Sequence, residues 1–449
     1  MKPFSLIILA LIGSAFAAEP GKLTRPNIVV MLVDDLGSGD VSCLFRTQVK
    51  TVNIDRLANM GVKFTSGYAA APLCGPARAG FFSGLYPQRF GFVNNGGEIP
   101  TDQPIFPGVM RQAGYHTGLI GKWHSAGPMP HERGCFDETL CSPTSSPFID
   151  YHHPKLARNG VIEKSDEYST DLFAREAESF IERNKSQPFF LTVTFNAPHI
   201  LKVIENAQSI QEKYDAAEAA GKHLDVPMEP MARPGDAVKF ADQFPGDKAR
   251  ADTVATIFAL DQAVGRILDK LKQTGLDQNT IVFFFGDNGG HPENRSENLP
   301  LRDYKWKLYE GGIRVPFIAA FPGVFPAGLD FKSPVVTMDI FATCAALAGV
   351  KMPDKSDGVN LTPYLNGEKT TAPHESLFFA IGGIGAVRKG PWKLVLPLGK
   401  DPQLFDVEKD VGETQDLAAN HKEKINELHE QWKAWFAQMP AVKKGKKAE

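Results

Sequence analysis

Five stretches of the chain are apolar almost without interruption: NIVVMLVDD (27–35), GYHTGLIGKWH (114–124), PFFLTVTFNAPH (188–199), TIVFFFGDNGG (280–290) and VPFIAAFP (315–322). Such runs suit strands covered on both faces, and so a mainly parallel sheet with helices on each side. Val254, Ile257, Phe258, Val264, Ile267, Leu268 and Leu271 recur at helical spacing and predict an amphipathic helix. The alternation gives an α/β, doubly wound fold. Beyond about residue 368 the texture changes. SLFFAIGG, GAVRKGPWKLVLP and QLFDVE read as short antiparallel strands joined by Gly, Pro and Asp turns. Ile425, Leu428, Trp432 and Phe436 then place one helix, and the closing KKGKKAE reads as a frayed tail. The expected organisation is a main unit over 18–367 and a smaller α+β subdomain over 368–449. The polar stretch 200–250 is expected to be an insertion over the sheet edge.

The amino terminus, MKPFSLIILALIGSAFAAEP, combines Lys2, an apolar run from Phe4 to Phe16 and the cleavage pattern Ala15-Phe16-Ala17. This is the pattern of a secretory signal peptide over residues 1–17. No later run of about 18 apolar residues follows, so no membrane anchor is expected. The expected location is periplasmic or secreted. Hydrophobic residues make up 43% and charged residues 22%, with a formal net charge of -3. That balance gives no general drive toward nucleic acid or anionic membranes, so any anion site must be built from a few placed cations.

Export makes the cysteines informative. There are five, Cys43, Cys74, Cys135, Cys141 and Cys344, and an odd number in an oxidising compartment leaves at least one thiol unpaired. Cys344, within DIFATCAALAG, reads as a small core residue. Cys135 and Cys141 lie in a loop-like segment and form the most plausible pair. Cys74, in LCGPARAGFFSGLYPQRFG, is left over.

Four of the strand-like runs end in chemically loaded residues: Asp34-Asp35, Lys122 with His124, Asn196 with His199, and Asp287-Asn288. Ligands of open α/β sheets bind outside the carboxyl ends of the strands. Each cluster alone could be an ordinary turn or a surface group; four together favour a site. Asp34, Asp35, Asp287 and Asn288 offer hard oxygen ligands suited to calcium or magnesium. Arg78, Lys122 and Lys305 add three cations, a setting for a polarised oxyanion. His124 and His199 can move protons near neutral pH. Phosphate or sulfate ester transfer fits best. Cys74 would lie at the amino terminus of a helix over Ala77–Leu85, with Pro76 in its first turn. A thiolate nucleophile is chemically possible there, but it suits a hard-oxygen metal site poorly.

C-G-P-A-R, continuing AGFFSGLYPQRFG, resembles the C-x-P-x-R signature of the type I sulfatases in the alkaline phosphatase-like superfamily. NIVVMLVDDLGSGD, YHTGLIGKWH, FNAPH, FFFGDNGG, LRDYKWKLYEGGIRVP, RKGPWKLVLP and LFDVEKDVGETQDLA resemble further family segments, spanning residues 25 to 436. The resemblance implies that a separate formylglycine-generating enzyme oxidises Cys74 to formylglycine, whose hydrate attacks sulfur and later expels sulfate. It implies one calcium ion held by Asp34, Asp35, Asp287, Asn288 and the modified residue 74. Arg78 would steady the hydrate, and Lys122 and Lys305 the sulfate oxygens. His199, with Lys305, would protonate the leaving oxygen, and His124 would take the proton during elimination. Lys307 is the neighbouring competitor of Lys305.

Departures from the pattern are Gly286 in place of a common Ser, Ser125 in place of a common Leu, and Cys135 inside RGCFDE. None falls on an implied ligand. The expected substrate is a sulfated polysaccharide or oligosaccharide. Tyr151, His152, His153 and the 200–250 insertion are candidates to line its pocket.

Overall fold

The structure is a computed structural model that describes residues 25–45, 47–146, 148–200 and 230–440. The expected signal-peptide segment, residues 201–229 of the expected insertion and the basic tail lie outside the described residues. Sixteen strands are described: β1 (Asn27–Val33), β2 (Val62–Phe64), β3 (Gly67–Tyr68), β4 (His116–Gly121), β5 (Glu138–Cys141), β6 (Lys155–Arg158), β7 (Val161–Lys164), β8 (Phe189–Thr194), β9 (Thr280–Gly286), β10 (Phe317–Ala320), β11 (Leu329–Phe331), β12 (Val335–Val336), β13 (Leu377–Ile381), β14 (Ile384–Lys389), β15 (Trp392–Leu396) and β16 (Gln403–Asp406). Ten of them form one sheet in the order β11-β2-β10-β9-β1-β8-β4-β5-β6-β7.

The middle of that sheet, β9-β1-β8-β4-β5, is parallel. Antiparallel pairings appear toward its edges, at β10 and at the β5-β6-β7 hairpins. Strand β1 explains the unbroken apolar pattern. Val29, Met31 and Val33 point into one core, and Ile28, Val30 and Leu32 into the core on the opposite face, as a two-residue side-chain period requires. Helices Val52–Met60, Ser169–Asn184 and Lys248–Gln273 cover the first face. Helices Cys74–Ser83, Phe106–Gln112 and Asp339–Leu347 cover the second. No helix among the described residues is long and apolar enough to cross a membrane.

Two expectations change. The described part of the 200–250 stretch forms helix Pro234–Ala241, whose Phe240 packs on Phe258 of the long helix. It therefore lies on a helix covering the sheet face, not over the edge. All five cysteines are free thiols. The extended strand β5 advances about 3.3 Å per residue and carries Cys141 away from Cys135, so the expected disulfide does not form.

Strands β13 to β16 make a separate antiparallel meander, on which helix Lys422–Phe436 packs. The closing helix turns differently from its expected face: Trp435, not Phe436, is buried. The Trp435 ring stacks on Phe378 at 5.2 Å and meets Tyr86 edge-on at 5.1 Å. Gly385 makes room for Trp432, since a Cβ there would stand 2.5 Å from the indole.

Charges join the meander to the main unit. Lys393 on β15 reaches Glu310 Oε1 at 2.9 Å, with both side chains fully buried. Its Nζ also lies 2.9 Å from Glu413 Oε1, though without hydrogen-bond alignment. Glu310 Oε2 accepts from the Tyr68 hydroxyl at 2.9 Å and from Arg314 at 3.1 Å. Removing one member of a buried ion pair leaves the other charge uncompensated. Lys393→Met is expected to destabilise the protein by about 3–5 kcal/mol, read as a lower denaturation midpoint; an unchanged midpoint would show that the network is dispensable.

Candidate active site

The four chemically loaded sequence clusters sit at the carboxyl ends of β9, β1, β8 and β4, which are consecutive neighbours in the sheet. Their spread from position 34 to position 288 therefore collapses into one buried crevice. Asp34, Asp35, Cys74, Arg78, Lys122, His124, His199, Asp287, Asn288 and Lys305 are all buried.

Local backbone explains how each side chain gets there. At the end of β4, Gly121 has φ +106°, and a Cβ would stand 2.0 Å from the Thr194 carbonyl oxygen. Only glycine lets the chain turn there and send Lys122 inward. Asp35 and His124 carry φ of 57° and 61°, a left-handed conformation that costs side-chain-bearing residues about 1–3 kcal/mol. Asp35 is clamped in it: its carbonyl accepts from Asn294 Nδ2 at 3.2 Å and Ser296 Oγ at 2.8 Å. Helix Cys74–Ser83 begins at Cys74 itself and closes on Gly84 in the left-handed region, so it starts three residues before the expected Ala77.

Charges interlock. Lys122 binds Asp34 Oδ2. Lys305 Nζ sits 2.8 Å from Asp35 Oδ1 and 2.9 Å from Oδ2. Arg78 donates from Nε to Asp287 Oδ2 at 2.9 Å and from Nη1 to the Lys122 carbonyl at 2.9 Å, and its Nη2 lies 3.5 Å from Asp34 Oδ2. Asn288 Nδ2 donates to Asp35 Oδ1 at 2.7 Å. Burial alone would raise the Asp34 carboxyl, but Lys122, His199 and Arg78 outweigh it and hold the group well below its ordinary value.

Cys74 Sγ lies 3.4 Å from Asp34 Oδ1 and 3.9 Å from Asp35 Oδ1. Burial pushes its thiol well above the ordinary value despite Lys122 and Lys305. A resting thiolate is therefore disfavoured, which weakens the thiolate-nucleophile alternative. Both histidines are held below their ordinary value. Burial and then Lys122 push His124 well down, and burial holds His199 at about 4. His199 Nδ1 is 2.7 Å from the Ile200 carbonyl, a contact that assigns the proton to Nδ1. Its Nε2 stands 3.6 Å from Asp35 Oδ2.

A metal fits these residues. One ligand atom each from Asp34, Asp35, Cys74 and His199 lies within 4.8 Å of the others. Asn288 Oδ1 is buried without a hydrogen-bond partner, a cost that a cation would offset. Asp287, expected beside them, is engaged by Arg78 and by the Asp35 backbone N–H at 3.3 Å. The oxygen-rich set suits a hard cation.

The expected pocket residues fare differently. Tyr151 is fully buried, and its hydroxyl donates to the carbonyls of Asn196 at 3.1 Å and His199 at 2.8 Å. It shapes the His199 loop and does not line the cavity at the site. His152 contacts the Pro230 carbonyl at 3.2 Å, and His153 faces solvent beside Asp166. Cavities at the site are lined instead by Asn95, Phe148, His291, Glu293 and Trp306. Sequence reasoning missed these, although Asn94-Asn95-Gly96-Gly97 and the polar run after Asp287-Asn288 are visible signals of loops beside a strand end. Asn95 Oδ1 accepts from the Gly75 N–H at 3.1 Å, beside Cys74.

Comparison with known proteins agrees with this geometry. A sulfatase family profile matches residues 26–350, and one described as the carboxyl-terminal part of N-sulphoglucosamine sulphohydrolase matches residues 302–439. The N-acetylgalactosamine-6-sulfatase of Mus musculus is 30% identical over 432 residues, covering 86% of this chain and 74% of the relative. Steryl-sulfatase of Homo sapiens is 27% identical, covering 92% of this chain and 87% of its own length. The crystal structure of Ps i-CgsB, solved also in complex with k-i-k-neocarrahexaose, superposes with a TM-score of 0.82 at 28% identity, covering 93% of this chain and 94% of the other. The chain belongs to the sulfatase family of the alkaline phosphatase-like superfamily and is a sulfuric ester hydrolase.

Proposed function

We propose that this enzyme removes sulfate from a sulfated saccharide, with Cys74 converted to formylglycine and with one calcium ion. The observation that carries the proposal is the buried meeting of Cys74 and Lys305 with Asp34, Asp35, Lys122 and His199, which leave the carboxyl ends of the three adjacent strands β1, β4 and β8. Relatives named for sulfated amino sugars, and a structural neighbour crystallised with a neocarrahexaose, support a carbohydrate substrate. Residues 1–17 would direct export, residues 18–367 would carry the catalysis and residues 368–449 would brace it.

Asp34, Asp35, Asp287 and Asn288 would hold the calcium ion together with residue 74. The bound ion would supply positive charge to a sulfate oxygen, and the modified residue would supply a hydroxyl nucleophile. Lys122 and Lys305 bring two cations to the remaining sulfate oxygens, where they stabilise charge in the transition state more than in the ground state. Arg78, pinned by Asp287, fixes the orientation of residue 74. His199 reaches the leaving oxygen through Nε2, and the negative sulfate beside it favours the protonated ring. His124, in its fixed left-handed backbone, accepts the proton when sulfate departs.

A panel of matched saccharide sulfates and phosphates tests the reaction. Release of sulfate at least about a hundredfold faster than phosphate is expected, and preferential phosphate release would overturn the proposal. Calcium is expected to raise the thermal midpoint of metal-stripped protein, by about 2.7 kcal/mol of stability at a hundredfold excess over its dissociation constant. Asp35→Asn should abolish that shift; a shift equal to wild type would remove Asp35 from the ion site.

A further inference from the structure

His291 and Glu293 lie in the loop after β9, outside the residues given a part in the reaction above. Both are buried, at 3% and 6% exposure. Both line a partly open cavity of about 100 Å³ together with Asp35, His124, His199 and Lys305. His291 Nδ1 accepts the backbone N–H of Glu293 at 3.2 Å, which leaves the proton of the neutral ring on Nε2. The ring is set edge-on against Trp306 at 4.7 Å. Glu293 Oε2 stands 3.6 Å from His291 Nδ1, too long for a hydrogen bond. Glu293 Oε1 is buried with no hydrogen-bond partner among the described residues.

A buried carboxylate oxygen left unpartnered costs about 1–3 kcal/mol or more, and a ligand that donates a hydrogen bond recovers that cost. Burial raises the Glu293 carboxyl to about 7, and in its ionised form it repels a ligand that only accepts, such as a second sulfate. The cavity is about three water volumes in size, at roughly 30 Å³ each. That is room for the sulfate ester and the substituent beside it. A larger cavity of about 370 Å³, lined by Asn95, Gly96, Gly97, His124, Ser145 and Ser146, shares Asn95 and His124 with the inner one and can take the rest of the saccharide.

We infer that Glu293 is a specificity-determining residue that accepts a hydrogen bond from a sugar hydroxyl on the carbon next to the sulfated one, with His291 fixing the loop that presents it. The inference rests on the saccharide sulfatase reading above. It makes the enzyme selective for a sulfate flanked by a free hydroxyl, and averse to one flanked by a second sulfate.

The test pairs a change in the enzyme with a change in the substrate. The saccharide monosulfate turned over fastest in the panel is compared with analogues in which each hydroxyl flanking the sulfate is replaced by hydrogen. For one flanking hydroxyl, the replacement is expected to lower wild-type kcat/KM about ten- to a hundredfold. In Glu293→Ala the same replacement should cost less than about threefold, the range of uncoupled changes. Glu293→Gln, which keeps an acceptor oxygen in place, should restore part of the penalty, and carries the comparison should the alanine variant fail to fold. Equal penalties in wild type and variants would overturn the inference and leave Glu293 a structural residue. Wild-type turnover of the parent monosulfate, read in the same assay, tests the sulfatase reading separately.

Discussion

Two lysine–aspartate ion pairs, Lys122 with Asp34 and Lys305 with Asp35, hold the centre of this protein together. Each is buried, and taking both charges of a pair out of water costs several kcal/mol per ion. Only excellent geometry and further partners recover that cost. Arg78 and Asn288 are among those partners. Asp34 and Asp35 leave β1, Lys122 leaves β4, and Lys305 arrives from the loop after β9. The pairs form only when the parallel strands are in their native order and register. The charges that the chemistry needs are thus also a penalty on any misordered sheet.

The same logic extends outward. The strand order places four reactive chain segments side by side, and strained backbone at Asp35 and His124 turns their side chains into the crevice. Such strain persists only where surrounding bonds determine it, and the clamp of Asn294 and Ser296 on the Asp35 carbonyl does so here. The carboxyl-terminal meander braces the arrangement from behind. Lys393 reaches Glu310, five residues beyond Lys305, so the loop that carries Lys305 is anchored on both sides.

Much of this was legible before folding. Unbroken apolar runs marked β1, β4, β8 and β9, because both faces of those strands are covered. Residues at their ends marked the site, because ligands collect at carboxyl ends of parallel strands. Neighbour order was not legible: nothing in NIVVMLV says that β8 and β9, not β4, flank it. Short antiparallel edges such as β6 and β7 carried too little pattern. Pocket residues were the weakest point. Tyr151 looked like a binding aromatic but spends its hydroxyl on two backbone carbonyls. Asn95, His291 and Glu293 matter through loop geometry that sequence spacing does not encode. Trp435 took the place expected of Phe436 because positions seven and eight residues after Leu428 border the same apolar stripe of a helix, so spacing alone does not choose between them.

The proposed chemistry turns on Cys74. Its thiol is buried, held protonated and set between carboxylates and lysines, a poor environment for a sulfur nucleophile and a suitable one for an oxygen nucleophile made from it. The most direct measurement is mass spectrometry of the peptide spanning residue 74 from active, native-source enzyme. An aldehyde in place of the thiol is expected, in a fraction that tracks specific activity. Fully active enzyme with an unmodified cysteine at position 74 would contradict the proposed mechanism.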